Sequence, residues 1–392
     1  MMRKYVIGFA LLVVNAAAVA APLPEPWTRL VKSFDTTLAN DRVVGGSVAL
    51  VEQGKIVASH YYGFADPARG RRVDADTIYH WASITKTLNA ITVMQLRDRG
   101  MLSLDEPITR YVPELRRVHN PFGSMDAITL RMLLNHSSGF QHSTWPYGDG
   151  SRWQPFEPTD WQQLVAMMPY QQLEFAPGSR FLYSNPTWIY LSRMLEQLSG
   201  DPWRYYVQKN IFTPLGMTRS YFGQTPVHLT SQRSSRFVVR KEPEGKFITD
   251  DLGGEFDPGI TIPNGGWNAP FADAVAYVAF LTGATGGDAE RKRRYDAVLK
   301  RSTLEEMWQP QYPAGVRETG ENIGLAFFLA DQGGHRVIGH TGNQGGFLSF
   351  IYCDPVTGRG IVGALNTNNE ARPEGAPSAI SIVRREAMRV FD

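Results

Sequence analysis

The chain has 392 residues, 40 Lys and Arg against 38 Asp and Glu, and a formal net charge of +2. Hydrophobic residues make up 43% and charged residues 20%, a globular balance that excludes a disordered chain and a basic surface built to grip nucleic acid. A single cysteine, Cys353, excludes an internal disulfide and a cysteine-based zinc site. A chain of this length buries a sizeable core without such staples.

The first twenty residues read as an export leader. Arg3 and Lys4 precede the apolar stretch Tyr5 to Val14, and Ala18-Val19-Ala20 supplies a small-x-small cleavage pattern. The stretch is short for a bilayer, which takes about 20 apolar residues. The expectation is a secreted or periplasmic chain starting near Ala21, with no stable membrane anchor.

Next, Ser47 to Val51 and Lys55 to Tyr62 read as strands joined through Gln53-Gly54. The middle, about 101–321, reads as helices and loops, with helical patterns at Trp161 to Met168 and Thr187 to Leu198. Strand patterns return at Gly324 to Ala330, Arg336 to His340, Gly346 to Tyr352 and Gly360 to Leu365, separated by turn-forming residues. Ala376 to Phe391 reads as a closing helix. Short turns require antiparallel neighbours. The predicted fold is α+β: one antiparallel sheet from both chain ends, about 27–100 and 322–392, flanked by helices and interrupted by a mostly helical insertion. The basic run Arg291 to Arg294 reads as a solvated helix face.

Three short motifs carry chemistry. Ser83-Ile84-Thr85-Lys86 opens a helical pattern, with Leu88, Ile91 and Met94 behind it. One turn apart, serine and lysine share a face, and a lysine whose pKa is lowered by burial can take the serine proton. Tyr183-Ser184-Asn185 precedes a second helix; its phenol can shuttle a proton and its amide can bond both a substrate carbonyl and the lysine. Its bland reading is a buried tyrosine beside a capping asparagine. His340-Thr341-Gly342, at the end of a predicted strand, offers a titratable donor, a hydroxyl and a backbone that a substrate can approach. Asn343 follows with its amide N–H. His136 and His142 lack acidic or Cys partners at ligand spacing, so no metal is expected. Trp145, Tyr147 and Trp153 are candidates to line a cavity.

Each motif occurs once, and together they resemble the serine β-lactamase and penicillin-binding protein superfamily, in the class C β-lactamase-like branch that also holds D-alanyl-D-alanine carboxypeptidases, D-amino-acid peptidases and β-lactamase-like esterases. Leu133 to Phe140 and Gly339 to Phe347 add to the likeness, which runs from about Trp27 to Asp392. The resemblance implies an exported hydrolase with an acyl-enzyme at Ser83, and Lys86 or Tyr183 as its base. It further implies Asn185 on the substrate's acyl amide, His340, Thr341 and Gly342 along the cleft, and an oxyanion hole from the N–H groups of Ser83 and Asn343. No cofactor is implied. The substrate is a small molecule or peptide: a D-amino-acid peptide, a β-lactam or an ester. An idle relative that binds cell-wall ligand is the non-enzyme alternative, against which the intact Ser83, Lys86 and Tyr183 speak. His340 stands where class C β-lactamases usually carry lysine, so the affinity for a carboxylate-bearing substrate is expected to fall as His340 loses its proton.

Overall fold

The computed structural model describes residues 23–144 and 158–392. The expected leader and Trp145, Tyr147 and Trp153 lie outside them. The first helix, α1 (Glu25–Asn40), adds to the strand-rich start expected from sequence. Its buried Trp27, Leu30, Phe34 and Leu38 recur every three or four residues, which is one helix stripe.

The chain then runs through β1 (Gly45–Glu52), β2 (Lys55–Asp66), the two-residue β3 (Arg71–Arg72) and β4 (Ile78–Ala82) into α2 (Thr85–Asp98). The middle holds helices α3 (Leu130–Leu134), α4 (Trp161–Met167) and α5 (Pro186–Ser199). It also holds β5 (Tyr221–Phe222), β6 (Phe237–Lys241), β7 (Phe247–Asp251) and β8 (Trp267–Pro270). The last part supplies β9 (Asn322–Ile323), β10 (Phe328–Gln332), β11 (His335–Gln344), β12 (Phe347–Cys353), β13 (Arg359–Leu365), β14 (Thr367–Asn369) and the helix Ala379–Met388.

The expected antiparallel sheet has eight strands in the order β3-β2-β1-β13-β12-β11-β10-β9. The two chain ends meet at β1 and β13, where Val48 faces Gly363 and Ala49 faces Val362. Side chains alternate across a strand, and both faces of this sheet are covered. Val48, Leu50, Phe350, Ile361 and Leu365 pack against α1 and the C-terminal helix. Ala49, Val51, Ile351, Val362 and Ala364 join the larger core, which contains α2 and α5. Burial on both faces explains why these strands are apolar at nearly every position.

Three expectations shift. The middle supplies β5, β6, β7 and β8 to two three-stranded sheets, β4-β8-β5 and β14-β6-β7, where only helices and loops were expected. The strand expected from Gly324 starts instead at Phe328. The strand expected to end at His340 continues to Gln344, and the turn falls on Gly345 and Gly346, at φ 59° and 92°. Two successive residues with positive φ suit a tight hairpin.

Strand β4 lies across the core face of β11 and β12, and Gly342 makes room for it. A Cβ on Gly342 would sit 2.3 Å from the Trp81 carbonyl oxygen and 2.4 Å from Ser349 Oγ, which itself donates to the Trp81 carbonyl at 3.0 Å. The bare position therefore seats a strand. Gly342→Ala is expected to lower stability by about 1–3 kcal/mol through overpacking and to slow turnover by pushing β4 aside. Urea denaturation and a steady-state assay check this, and an unchanged midpoint would contradict it.

Candidate active site

Strand β4 delivers the chain into α2 through a sharp corner. Ala82 takes φ +48°, a left-handed conformation that costs a non-glycine residue about 1–3 kcal/mol. The surroundings fix it: Thr85 Oγ1 donates to the Ala82 carbonyl at 2.6 Å and accepts the Trp267 N–H at 3.0 Å. Ser83 follows, partly exposed at the cleft floor, and Lys86 sits one turn later. Helix α2 is buried from Thr85 to Leu96, and its polar side chains find partners inside. Asn89 Nδ2 donates to the carbonyls of Trp188 and Pro263, and Gln95 Nε2 donates to that of Val298.

Lys86 Nζ lies 2.9 Å from Ser83 Oγ and donates to the Asn264 carbonyl at 2.7 Å. The side chain is fully buried, with no carboxylate in ion-pair reach among the described residues. Burial pushes its pKa well below that of a free lysine, because a cation there would be desolvated without compensation. The amine is therefore less readily protonated than a free lysine and is held against the hydroxyl. Sequence reasoning assigned the lysine's partner to Asn185; the structure gives it to the Asn264 carbonyl. Pro263-Asn264-Gly265-Gly266 reads only as a loop, and a backbone acceptor leaves no side-chain signature.

Tyr183 arrives from the loop before α5 and packs beside this pair. Lys86 Nζ stands 5.1 Å from the centre of its ring. Burial raises the phenol pKa, and the hydrogen bond with Ser83 opposes that only in part. The phenol thus keeps its proton at neutral pH. The charge of Arg317 also lowers it without outweighing burial. Asn185 lines the cleft at the N-terminus of α5 without capping it by side chain. Its Nδ2 donates to the His142 carbonyl at 3.1 Å.

The opposite wall is β11. Thr341 and Asn343 line the cavity, about 730 Å³ in volume, together with Ser83 and Tyr183. His340 does not reach it. Its ring is 1% exposed, stacks on Phe328 at 4.1 Å and donates Nδ1–H to the Thr341 carbonyl. Burial and the nearby Lys86 drive its pKa well below that of free histidine, so the expected titratable cation is a neutral core group.

The cation that does face the cleft is Arg317, which sequence reasoning missed. Its guanidinium lies 3.5 Å above the Phe328 ring and 2.9 Å from Glu321. Burial alone would raise the Glu321 carboxyl, but Arg317 and Arg384 outweigh it and hold it below the usual range. One carboxylate thus anchors two guanidiniums, and Arg317 lines the cavity beside the carboxylate of Glu318. Arg317 sits in a loop with no motif around it.

His136 and His142 are engaged with the backbone. His136 Nδ1 accepts the Ser184 N–H at 3.0 Å, and His142 Nδ1 donates to the Tyr183 carbonyl at 2.9 Å. Among the described residues no group of three or more His, Cys, Asp or Glu is placed to hold a metal.

Three buried imidazoles make stability pH-dependent. Burial lowers His80 to about 4 and holds His136 and His340 well below 6.5. An unfolded chain protonates all three near pH 6.5, so their contribution is complete above that pH and is lost as pH falls below it. The slope approaches about 1.4 kcal/mol per pH unit for each group. Denaturant melts between pH 7 and 5 are expected to show this fall, and His340→Asn to remove one group's share; an unaltered slope in that variant would contradict it.

Over residues 29–383 the chain matches the Beta-lactamase family. It is 33% identical over 214 residues to esterase EstB of Burkholderia gladioli, a match covering 52% of this chain and 51% of EstB. The chain thus spans about half the length of that curated relative. Its fold superimposes on an octameric penicillin-binding protein homologue from Pyrococcus abyssi with a TM-score of 0.72, at 24% identity, over 93% of this chain and 76% of that one. On a class C β-lactamase the TM-score is 0.69, at 18% identity, over 93% of this chain and 96% of that one. The buried lysine beside a serine at the head of the central helix thus sits in a shared fold: the chain belongs to the Beta-lactamase family, a family of serine hydrolases.

Proposed function

We propose that the cleft hydrolyses its substrate through an acyl-enzyme at Ser83. The observation that carries this reading is the buried Lys86 amine 2.9 Å from Ser83 Oγ, its pKa lowered by burial. The amine takes the hydroxyl proton as Oγ attacks the substrate carbonyl. The oxyanion forms against the N–H groups of Ser83 and Asn343, donors of the kind whose loss costs about a hundredfold in rate. As the carbonyl collapses, the C–N or C–O bond breaks and Tyr183 gives its proton to the leaving group, recovering one from Lys86. Water then attacks the acyl-serine, and the acid departs. Burial lowers the amine and raises the phenol, which favours Lys86 as first base and Tyr183 as relay. Thr341 and Gly342 would form the strand wall, and Asn185 would meet the acyl amide.

The substrate class favoured is an amide of a D-amino-acid peptide or a β-lactam bearing a carboxylate. Arg317 supports it, since a guanidinium keeps its charge at any working pH. The second reading, a carboxylesterase, is favoured by the match to EstB. The reaction is placed outside the cytoplasm, after cleavage near Ala20. Among the described residues no helix is long and apolar enough to cross a membrane.

Protein recovered from the secreted or periplasmic fraction is incubated with a fluorescent penicillin and with p-nitrophenyl acetate, then weighed intact. A chain starting near Ala21 is expected, with an adduct that Ser83→Ala abolishes. An adduct that persists in Ser83→Ala would overturn the nucleophile, and turnover of the ester with penicillin untouched would decide for the esterase. Arg317→Gln is expected to raise KM for the penicillin about tenfold, the weight of a charged hydrogen bond. The neutral ester should stay within about twofold. Equal shifts for both would remove Arg317 from recognition.

A further inference from the structure

The segment Leu133 to Phe140 carried part of the family likeness without any chemical role. In the structure it passes directly behind Tyr183. His136 is fully buried and has φ +62°, a conformation that histidine and asparagine tolerate better than most side chains. Its carbonyl accepts the N–H of Leu182 at 2.9 Å, and its Nδ1 accepts the N–H of Ser184 at 3.0 Å. The N–H groups of the residues on either side of Tyr183 are thus both tied to one residue. The His136 ring then stacks on the Tyr183 ring at 4.5 Å and 24°.

We infer that His136 is a positioning residue for Tyr183: one carbonyl, one ring nitrogen and one ring face fix the phenol's origin and plane. The inference rests on the reading of Tyr183 as proton relay. Three contacts converge on a residue whose hydroxyl must meet Ser83, and a shift of about 1 Å in such a group can cost a hundredfold in rate. The side chain has to be flat, able to accept at the δ position and at ease with positive φ. Phenylalanine lacks the acceptor and asparagine lacks the ring. With Nδ1 accepting, the proton sits on Nε2, which meets no partner among the described residues. The Nδ1 lone pair and the ring face are therefore what the site uses.

The test is a double-mutant cycle on the full chain with whichever of the two probe substrates turns over. Alone, His136→Phe is expected to lower kcat about tenfold or more, with KM within about twofold. In a Tyr183→Phe background the same change is expected to cost little further. His136→Asn keeps an acceptor near the Nδ1 position and tolerates the backbone, so it is expected to fold and to retain more kcat than His136→Phe. If the two losses multiply, or if kcat is untouched in both His136 variants, the inference falls. If Tyr183→Phe alone turns over normally, the relay reading falls first and the role of His136 with it. Should His136→Phe not fold, the cycle runs on His136→Asn, whose loss must likewise vanish in the Tyr183→Phe background.

Discussion

The site depends on an amine sealed away from water with no acid among the described residues to balance it. Lys86 is fully buried, and the acceptor it meets besides Ser83 is a backbone carbonyl. A carboxylate in that place would have restored the ammonium and removed the base. Asn89 and Gln95 of α2 donate to backbone carbonyls, and Glu321 is directed at two arginines. The tyrosine is governed by burial as well, which raises its phenol and outweighs the opposing pull of Ser83 and Arg317. Burial therefore shifts the two groups in opposite directions, the amine down and the phenol up.

A second constraint is the corner that presents Ser83. Strand β4 ends on a left-handed alanine, wedged against β11 through the gap at Gly342 and pinned by Thr85 and Ser349. The wall of the cleft and the nucleophile are thus parts of one packing unit. This unit also accounts for the split between His340 and Arg317. The histidine faces inward, where charge is costly, and holds the strand; the guanidinium stacks outside on Phe328 and keeps both its charge and its view of the cavity.

Much of this was legible in the sequence because it is local. Ser83 and Lys86 share one helical turn, and the C-terminal strands alternate between turn-rich separators. Short antiparallel connections within each end made one sheet from both chain ends legible, while the meeting of β1 with β13 is a long-range choice. What escaped was decided across the chain. Helix α1 is readable in the spacing of Trp27, Leu30, Phe34 and Leu38, yet its apolar stripe is short and lies just past the expected leader. Strands β6 and β7 are half exposed and find a sheet only through β14, more than a hundred residues on. Asn264 acts through its backbone, and Arg317 is one arginine among many until Phe328 and Glu321 surround it. His340 kept its motif and lost its expected charge, because a sequence pattern does not state which face of a strand is dry.

The join between β1 and β13 has a consequence for the timing of synthesis. More than three hundred residues separate the two strands, so their closure is a long-range event and slow compared with local helix formation. While a nascent chain lacks its last seventy residues, β4 has no β11 or β12 to rest on, and the serine has no opposing wall. A ribosome can therefore release or stall on most of the polypeptide without producing a working hydrolase, and competence arrives only with the final strands.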